Sequence, residues 1–258
     1  MKQPISLKGF TLVELSIVLV IIGLLIGGIL VGQSLIESSK ITAQIKQIQE
    51  FDIAVSNFKA KFKQIPADCS ICAHGNGALN GNNNKIIGEG TSTTPAHLIY
   101  DEAGHFFPDL SKMGMISESY VTVNVRTTFN IGIGKQFPKA KLGKAGIWAK
   151  TNYLGQIYYA YISKDSSQGG NVWPNCAGGF MCDRVLTPEQ AAGIDSKLDD
   201  GIPTTGDITT VGSWDVSNTI IPFEPATSNG SSCNLGTKYN LNLSTVLCNL
   251  TFKSTVSP

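Results

Sequence analysis

A long apolar run near the N-terminus constrains this chain more than any other feature. From Phe10 to Val31 the sequence contains 22 residues, of which only Thr11, Glu14 and Ser16 are polar. As an α-helix rising about 1.5 Å per residue, this run is roughly 33 Å long, which matches the ~30 Å hydrocarbon core of a bilayer. The run therefore predicts a helix that crosses a membrane once.

The residues before this run indicate its orientation. Lys2 and Lys8 are the charged residues that precede Phe10, and positively charged flanks remain in the cytoplasm. We therefore expect a single-pass protein of the inner membrane with a periplasmic head. A cleaved secretory signal is the alternative, but its apolar region covers about 7–15 residues and ends at a small-residue cleavage site. This sequence has neither feature.

The rest of the chain has the composition of a folded, exported domain. Of its 258 residues, 15% are charged and the formal net charge is +1. These values argue against a disordered chain and against a surface built entirely to hold nucleic acid. Six cysteines beside a membrane segment favour an oxidising compartment. A soluble cytosolic enzyme is therefore not expected.

Glu14 is an unusual residue for a membrane span. A charged group at the centre of a membrane helix costs about 2.5–3.5 kcal/mol on insertion scales, so such a carboxylate indicates a function and a partner. It lies in the segment KGFTLVELSIVLVIIGLL. This segment resembles the cleavage and methylation motif of type IV prepilins and type II secretion pseudopilins, in which a basic leader and a glycine precede Phe-Thr-Leu-x-Glu.

The resemblance implies a pathway of processing and assembly. A prepilin peptidase would cut between Gly9 and Phe10 and N-methylate Phe10, and Glu14 would pair with the Phe10 amine of a neighbouring subunit. Two charges that are unfavourable alone in lipid neutralise each other when the subunits are in register. The implied partners are the peptidase, the inner membrane and other pilin or pseudopilin subunits. The protein would pass from the inner membrane into a pilus or pseudopilus, and the lack of proline between Phe10 and Ile65 favours a minor subunit.

The resemblance also implies an α+β pilin fold, with a long N-terminal helix packed on an antiparallel β-sheet head. The expected parts are a leader over 1–9, a transmembrane helix over 10–32, an amphipathic half of the same helix over 33–65 and a globular extracytoplasmic head over 66–258. An apolar stripe at helical spacing supports the third part: Ile41, Ile45, Ile48, Phe51, Val55, Phe58 and Phe62. Pro66 should end the helix, in a turn, Ile-Pro-Ala-Asp, that partly matches the Leu-Pro-Gly-Asp turn of the family.

The head contains strand-rich and turn-rich segments. β-Branched and aromatic residues predict an antiparallel meander with strands over 120–126, 128–134, 145–150 and 155–163. Thr187, Pro188 and Gln190 form the pattern of a capping box that opens a helix to about Leu198. A short helix is expected to end near Phe107. Further short strands are expected near 219–223, 239–243 and 246–252, and the 164–215 region is expected to be a subunit-specific insertion.

The six cysteines are expected to form three disulfides. The expected pairs are Cys233–Cys248, Cys176–Cys182 and Cys69–Cys72. The first resembles the disulfide-bounded C-terminal region of type IV pilins, the second spans a short local segment, and the third is the pair that remains. A zinc site that includes Cys69, Cys72 and His74 is the alternative for the third pair.

Acidic residues cluster in the segment GIDSKLDDGIPTTGDI. Calcium prefers six to eight oxygen ligands from a flexible loop, so this cluster is a possible calcium site, although its spacing differs from that of the major pseudopilins. The candidate ligands are Asp195, Asp199, Asp200 and Asp207. The alternative is a solvated helix end and turn with no cofactor.

Basic residues predominate between Ser119 and Lys164, where no acidic residue occurs. A lysine-rich segment near aromatic residues suggests a face that binds DNA or another anionic ligand, or a host or abiotic surface. The candidate residues are Lys135, Lys139, Lys141 and Lys144. Two alternatives remain: contact with the acidic segment of a neighbouring subunit, or simple solubilisation of strand faces.

We find no pattern that indicates catalysis. His74, His97 and His105 lack metal-ligand spacing, and no nucleophile motif or phosphate-binding glycine loop occurs. The sequence therefore predicts a structural subunit rather than an enzyme, with DNA or surface binding as the alternative. An exported enzyme that uses the prepilin signal only as a tether is a third hypothesis.

Overall fold

The computed structural model describes residues 9, 11–72, 81–87, 102–121, 133–152, 154–162, 184–214, 220–222 and 233–256, with the backbone alone described for 211–214 and 220–222. The chain divides into two compact units, Met1–Lys40 and Ile41–Pro258. The first unit is helical wherever it is described beyond Thr11, and the second contains the hydrophobic core.

Helix α1 (Leu12–Phe62) is 51 residues long and confirms the long N-terminal helix. It ends three residues earlier than expected, because Lys63 adopts a left-handed backbone conformation with φ of 57°. Proline at position 66 then prevents the chain from resuming the helix. Ala67 also has a positive φ, of 74°, at the position where the family turn carries glycine, the residue that adopts this conformation without steric cost.

Residues 41–62 of α1 bury one face in the head. Ile41, Ile48, Phe51, Val55 and Phe58 of the predicted stripe are buried, whereas Ile45 and Phe62 are partly buried. Gln44 and Gln47 are buried as well, although the sequence placed them on the polar side. Their amides reach backbone groups of the head, and these hydrogen bonds offset the cost of burying them.

The described part of the head contains two short helices and an antiparallel sheet. A 3₁₀ turn (Ala103–His105) leads into α2 (Phe106–Lys112), and α3 covers Pro188–Leu198. The strands are β1 (Gly146–Thr151), β2 (Ile157–Ile162), β3 (Ile208–Trp214), β4 (Ile220–Pro222), β5 (Asn234–Leu235), β6 (Lys238–Tyr239) and β7 (Leu250–Lys253). Five strands form one sheet in the order β1-β2-β7-β3-β4, and β5 pairs with β6. These elements confirm the α+β class.

The sheet is not the simple meander that the sequence predicted. All its strand pairs are antiparallel, but the C-terminal strand β7 lies between β2 and β3. The expected strands over 120–126 and 128–134 fall largely outside the described residues. Tyr120 and Val121, which are described, are not in a strand.

The expectation that 164–215 is an insertion is wrong for its second half. Strand β3 pairs with β7 through Ile208–Phe252 and Thr210–Leu250, so this segment completes the main sheet. Helix α3 begins with the predicted capping box, in which Thr187 Oγ1 accepts from Gln190 N at 3.2 Å and Thr187 N donates to Gln190 Oε1 at 2.9 Å. This reciprocal bonding satisfies two backbone N–H groups at the helix start.

An aromatic cluster joins α1, α2 and the sheet. Phe51 lies 4.9 Å from Phe107 and 5.9 Å from Tyr159, and Phe106 lies 6.2 Å from Tyr159, all between ring centroids. Edge-to-face and tilted pairs at these distances contribute about 0.5–1.5 kcal/mol beyond the burial of their area.

Asp52 connects α1 to the C-terminal end of the chain through hydrogen bonds. Its carboxylate accepts hydrogen bonds from Tyr159 Oη at 3.0 Å, Ser254 Oγ at 2.6 Å, Thr255 N at 2.9 Å and Thr255 Oγ1 at 2.7 Å. Hydrogen bonds to a charged group are about twice as strong as those between neutral groups. The carboxylate therefore links the helix to β2 and to the residues that follow β7.

Two disulfides stabilise the head. Cys233 is bonded to Cys248, and Cys69 is bonded to Cys72 across three residue positions. All four cysteines are buried. The bond between Cys69 and Cys72 excludes their use as thiolate ligands of zinc while it is formed. Cys176 and Cys182 lie outside the described residues.

Replacing both Cys233 and Cys248 by serine is expected to destabilise the head by about 3 kcal/mol, because this pair closes a 15-residue loop. The matched double serine variant of Cys69 and Cys72 should lose roughly half as much, since its loop is much shorter. Urea unfolding followed by tryptophan fluorescence measures both. Equal losses for the two variants would show that loop length does not govern these bonds.

Alkaline pH is expected to destabilise the head through its tyrosines. Burial raises the pKa of Tyr120 to about 12, and burial likewise raises the pKa of four more: Tyr158, Tyr159, Tyr161 and Tyr239. Phenols in the unfolded chain titrate near pH 10, so the unfolded state loses its protons first. Stability should be independent of these groups below about pH 9. Above about pH 10 it should fall by up to ~1.4 kcal/mol per pH unit for each tyrosine that stays protonated.

Tyr161 provides the matched control for this pH dependence. Its buried hydroxyl has no hydrogen-bond partner among the described residues. Tyr161→Phe should therefore change the free energy of unfolding at neutral pH by no more than about 0.5 kcal/mol. It should also reduce the slope of unfolding free energy against pH above about pH 10 by the contribution of one proton. Urea midpoints measured across the pH range give this slope. A slope equal to that of the parent protein would contradict the assignment.

Candidate functional site

The first turn of α1 forms a capping box around Glu14. Thr11 N donates to Glu14 Oε2 at 2.8 Å, Thr11 Oγ1 donates to the same oxygen at 2.8 Å, and Glu14 N donates to Thr11 Oγ1 at 3.2 Å. These bonds satisfy backbone donors that a helix start otherwise leaves unpaired. Glu14 Oε1 accepts no hydrogen bond in the described part of the chain, so this oxygen remains available to a further donor.

The large apolar side chains around and after Glu14 in α1 are exposed. Between Leu12 and Ile36 the large apolar side chains are 45% to 87% exposed. Within the described residues, α1 is the one helix that is long and apolar enough to cross a membrane. Water does not stabilise a continuous apolar surface of this size, so this surface fits a helix that anchors the chain in a membrane.

The expected cleavage position lies just before this helix. Gly9 is exposed and adopts no regular structure, and α1 begins at Leu12. Phe10 lies outside the described residues. In the sequence, the cleavage position that the resemblance implies therefore follows Gly9 and precedes the first residue of α1, Leu12.

The four candidate lysines lie on one segment of the head, and all are exposed. They are Lys135, Lys139, Lys141 and Lys144. Gln47 Nε2 donates to Lys139 O at 2.9 Å, and Gln44 Oε1 accepts from Lys141 N at 2.9 Å and Leu142 N at 3.1 Å. Because α1 holds the backbone at residues 139–142, the positions of Lys139 and Lys141 are defined by the helix rather than by a free loop.

The acidic candidates form a hydrogen-bonded turn. Asp195, Asp199 and Asp200 bring one carboxylate oxygen each within 4.8 Å of one another, whereas Asp207 pairs with Lys253 at 3.0 Å. Burial raises the pKa of Asp195, and the hydrogen bond from Tyr239 Oη, at 2.7 Å, opposes the shift.

The other two carboxylates of this cluster also accept protein hydrogen bonds. Asp199 Oδ2 accepts from the backbone N of Asp207 and of Ile208, and Asp200 accepts from Thr205 Oγ1 and from Ile202 N. Their oxygens therefore organise the turn after α3. Calcium binding by these residues stays a prediction.

Sequence reasoning missed three residues that position the lysine segment and the sheet: Gln44, Gln47 and Asp52. Each occupies a helical position that looks solvent-facing in the sequence. The one available signal is that all three lie within one turn of buried stripe residues, where a polar side chain reaches the edge of the packed face. Their partners, at sequence separations of 92 to 203, are not visible in the sequence.

Comparison with known proteins supports the interpretation of the N-terminus. Residues 7–30 match the family model described as the prokaryotic N-terminal methylation motif. This match confirms the resemblance to prepilin-type N-termini and covers the leader end, Gly9, Phe10 and Glu14. No curated protein and no solved structure matches the chain significantly.

Proposed function

Because the chain carries a prepilin-type methylation motif at residues 7–30, we propose that it is a structural subunit of a type IV pilus or a type II secretion pseudopilus. Prepilin peptidase removes residues 1–9 and methylates the amine of Phe10. The mature subunit then enters a filament through its N-terminal helix. The observation that carries this proposal is the motif itself, located on an exposed apolar helix whose span contains one carboxylate.

The chemistry of the helix start supports the assembly step. Glu14 uses Oε2 to cap its own helix, which leaves Oε1 to accept from the methylated Phe10 amine of a neighbouring subunit. In an apolar environment this pair compensates two buried charges, and either charge alone is costly. The pair therefore favours one axial register between adjacent helices.

The same features support a route through the inner membrane. Before assembly, the apolar half of α1 spans the bilayer, Lys2 and Lys8 remain on the cytoplasmic side, and the disulfide-bonded head lies in the periplasm. The family that carries this motif is structural rather than catalytic, and we propose the same for this chain.

N-terminal sequencing and intact-mass measurement of the protein from its native membrane test the proposal. The expected product begins at Phe10, carries one additional methyl group, and is absent from a strain without prepilin peptidase. The protein should also be recovered in sheared filaments or in an overexpressed pseudopilus. An intact Met1, or cleavage at another position, would remove the basis for the filament role.

The exposed lysine segment supports binding of a polyanion such as DNA, or of a negatively charged surface, as a second candidate function. Four lysines within ten residues release counterions when they contact phosphates, so binding becomes strongly dependent on salt. We expect alanine at Lys135, Lys139, Lys141 and Lys144 to weaken DNA binding and to reduce the salt dependence without affecting processing at Gly9.

The matched control replaces four lysines outside this segment: Lys59, Lys61 and Lys63 at or just after the end of α1, and Lys85 in the head. The net charge changes equally in the two variants, so a specific site predicts a loss only in the first. Equal losses of DNA affinity in the two variants would show that binding is general electrostatic attraction. Unchanged DNA binding in the first variant would exclude this candidate function.

A further inference from the structure

A surface cavity of about 410 Å³ lies beside α1 at the lysine segment. Its volume is within the range of small-molecule sites, about 300–1,000 Å³. The lining residues are Gln47, Glu118, Ser119, Tyr120, Gly134, Lys139 and Lys141. Two of the four candidate lysines, Lys135 and Lys144, are not among them.

Hydrogen bonds hold several of the residues that line this cavity. Val121 N donates to Lys135 O at 2.9 Å and joins the two lining segments, and Gly134 N donates to Phe137 O at 2.7 Å. Gln47 is engaged with Lys139 O and with Gln44. Gly134 has a φ of 83°, a conformation that glycine adopts readily. The described parts of the wall are therefore held in place by the fold, which reduces the entropic cost of binding.

The polar groups in the cavity are of mixed type. Lys139 and Lys141 are exposed and supply positive charge, whereas Glu118 and Ser119, also exposed, supply acceptors. The half-buried Tyr120 packs its ring 6.0 Å from Phe107. Burial and the nearby charge of Glu118 raise the pKa of Tyr120 to about 12, and its hydroxyl, as in an unperturbed tyrosine, is protonated at physiological pH.

We propose that this cavity binds a single sugar residue that carries a carboxylate, of the uronic acid type. Lys139 and Lys141 donate to the sugar carboxylate, Glu118 accepts from ring hydroxyls, Ser119 donates or accepts, and Tyr120 offers an aromatic surface and a donor. Each class of lining group therefore has a complementary group on the ligand.

Other ligand classes fit this set of groups less well. A nucleic acid strand would bring several phosphates beside Glu118, where like charges are unfavourable, whereas a uronic acid brings one carboxylate that the two lysines can neutralise. A neutral sugar would leave both lysines without an anionic partner. This inference does not depend on the filament role, because all the described lining residues belong to the compact unit Ile41–Pro258 of a single chain.

The test is ligand-observed NMR and titration calorimetry on the full-length protein in detergent, with sodium D-glucuronate as the probe and D-glucose and inorganic phosphate as comparisons. Glucuronate should bind at millimolar concentration or below and more tightly than either comparison. Replacing Lys139 and Lys141 by alanine should weaken glucuronate binding about tenfold or more. The matched variant with alanine at Lys135 and Lys144 should bind within about twofold of the parent protein.

Glu118→Gln separates a sugar site from a simple anion site. It should weaken glucuronate binding, because the amide is a poorer acceptor for hydroxyls, and it should strengthen phosphate binding, because a negative charge is removed. Three results would overturn the proposal: no glucuronate binding by the parent protein, equal losses in the two lysine variants, or phosphate binding as tightly as glucuronate. DNA competition that depends equally on all four lysines would instead favour the polyanion candidate.

Discussion

Glu14→Leu is expected to leave the chain cleaved and methylated but to exclude it from filaments. The substitution removes the carboxylate that we propose accepts from the Phe10 amine of the next subunit, and it would leave that amine uncompensated in an apolar environment. Breaking a buried ion pair in this way costs about 3–5 kcal/mol, so incorporation should fall on the order of a hundredfold or more. Immunoblots of sheared filaments against membranes measure incorporation, and mass spectrometry of the membrane fraction measures processing.

Glu14 also caps α1, and a second variant separates the two roles. Glutamine is as suitable as glutamate at the third helical position of a capping box, so Glu14→Gln should retain the hydrogen bond from Thr11 N while it loses the charge. We expect Glu14→Gln to fail in assembly as Glu14→Leu does. If the glutamine variant assembles normally, the carboxylate acts as a helix cap and the proposed intersubunit pair is wrong.

Asp52→Ala is expected to lower the stability of the head by about 3 kcal/mol. This is the largest effect that we expect from a single substitution outside the apolar N-terminal part of α1. The change leaves Tyr159, Ser254 and Thr255 without the acceptor they share. Net contributions of about 1.5–3 kcal/mol for hydrogen bonds to charged groups support this magnitude. For a domain of this size, the melting temperature should fall by roughly 10 °C.

Glu50→Ala is the matched control, because Glu50 is an exposed acid two positions earlier in the same helix. It should change the free energy of unfolding by no more than about 0.5 kcal/mol. Tyr159→Phe removes one of the hydrogen bonds and should cost about 1 kcal/mol. In the double variant with Asp52→Ala, the loss from Tyr159→Phe should largely disappear. A fully additive double variant would show that the carboxylate and the phenol do not act together.

Local features of the fold were predictable because their causes lie within a few residues. The capping box of α3 is a pattern of four positions, from Thr187 to Gln190. The adjacent strands β1 and β2 were also expected, since they combine β-branched and aromatic residues on both sides of a short connection. Pro66 predicted the end of α1 to within three residues of its observed position, Phe62.

The topology of the sheet was not predictable in the same way. Strand β7 lies between β2 and β3, and strand partners far apart in sequence are selected by burial and by long-range closure rather than by local propensity. The sequence therefore identified β7 as a strand near the C-terminus but not as a central one. For the same reason β3 was mistaken for part of an insertion.

The sequence by itself determined the long apolar helix, the methylation motif and the place of Glu14, because each depends on consecutive residues. Only the tertiary structure decided which polar residues of α1 are buried, that Asp52 holds the C-terminal end, and that Lys139 and Lys141 share a cavity with Glu118 while Lys135 and Lys144 do not. These arrangements join residues up to 203 positions apart, and such contacts exist only after the core has packed.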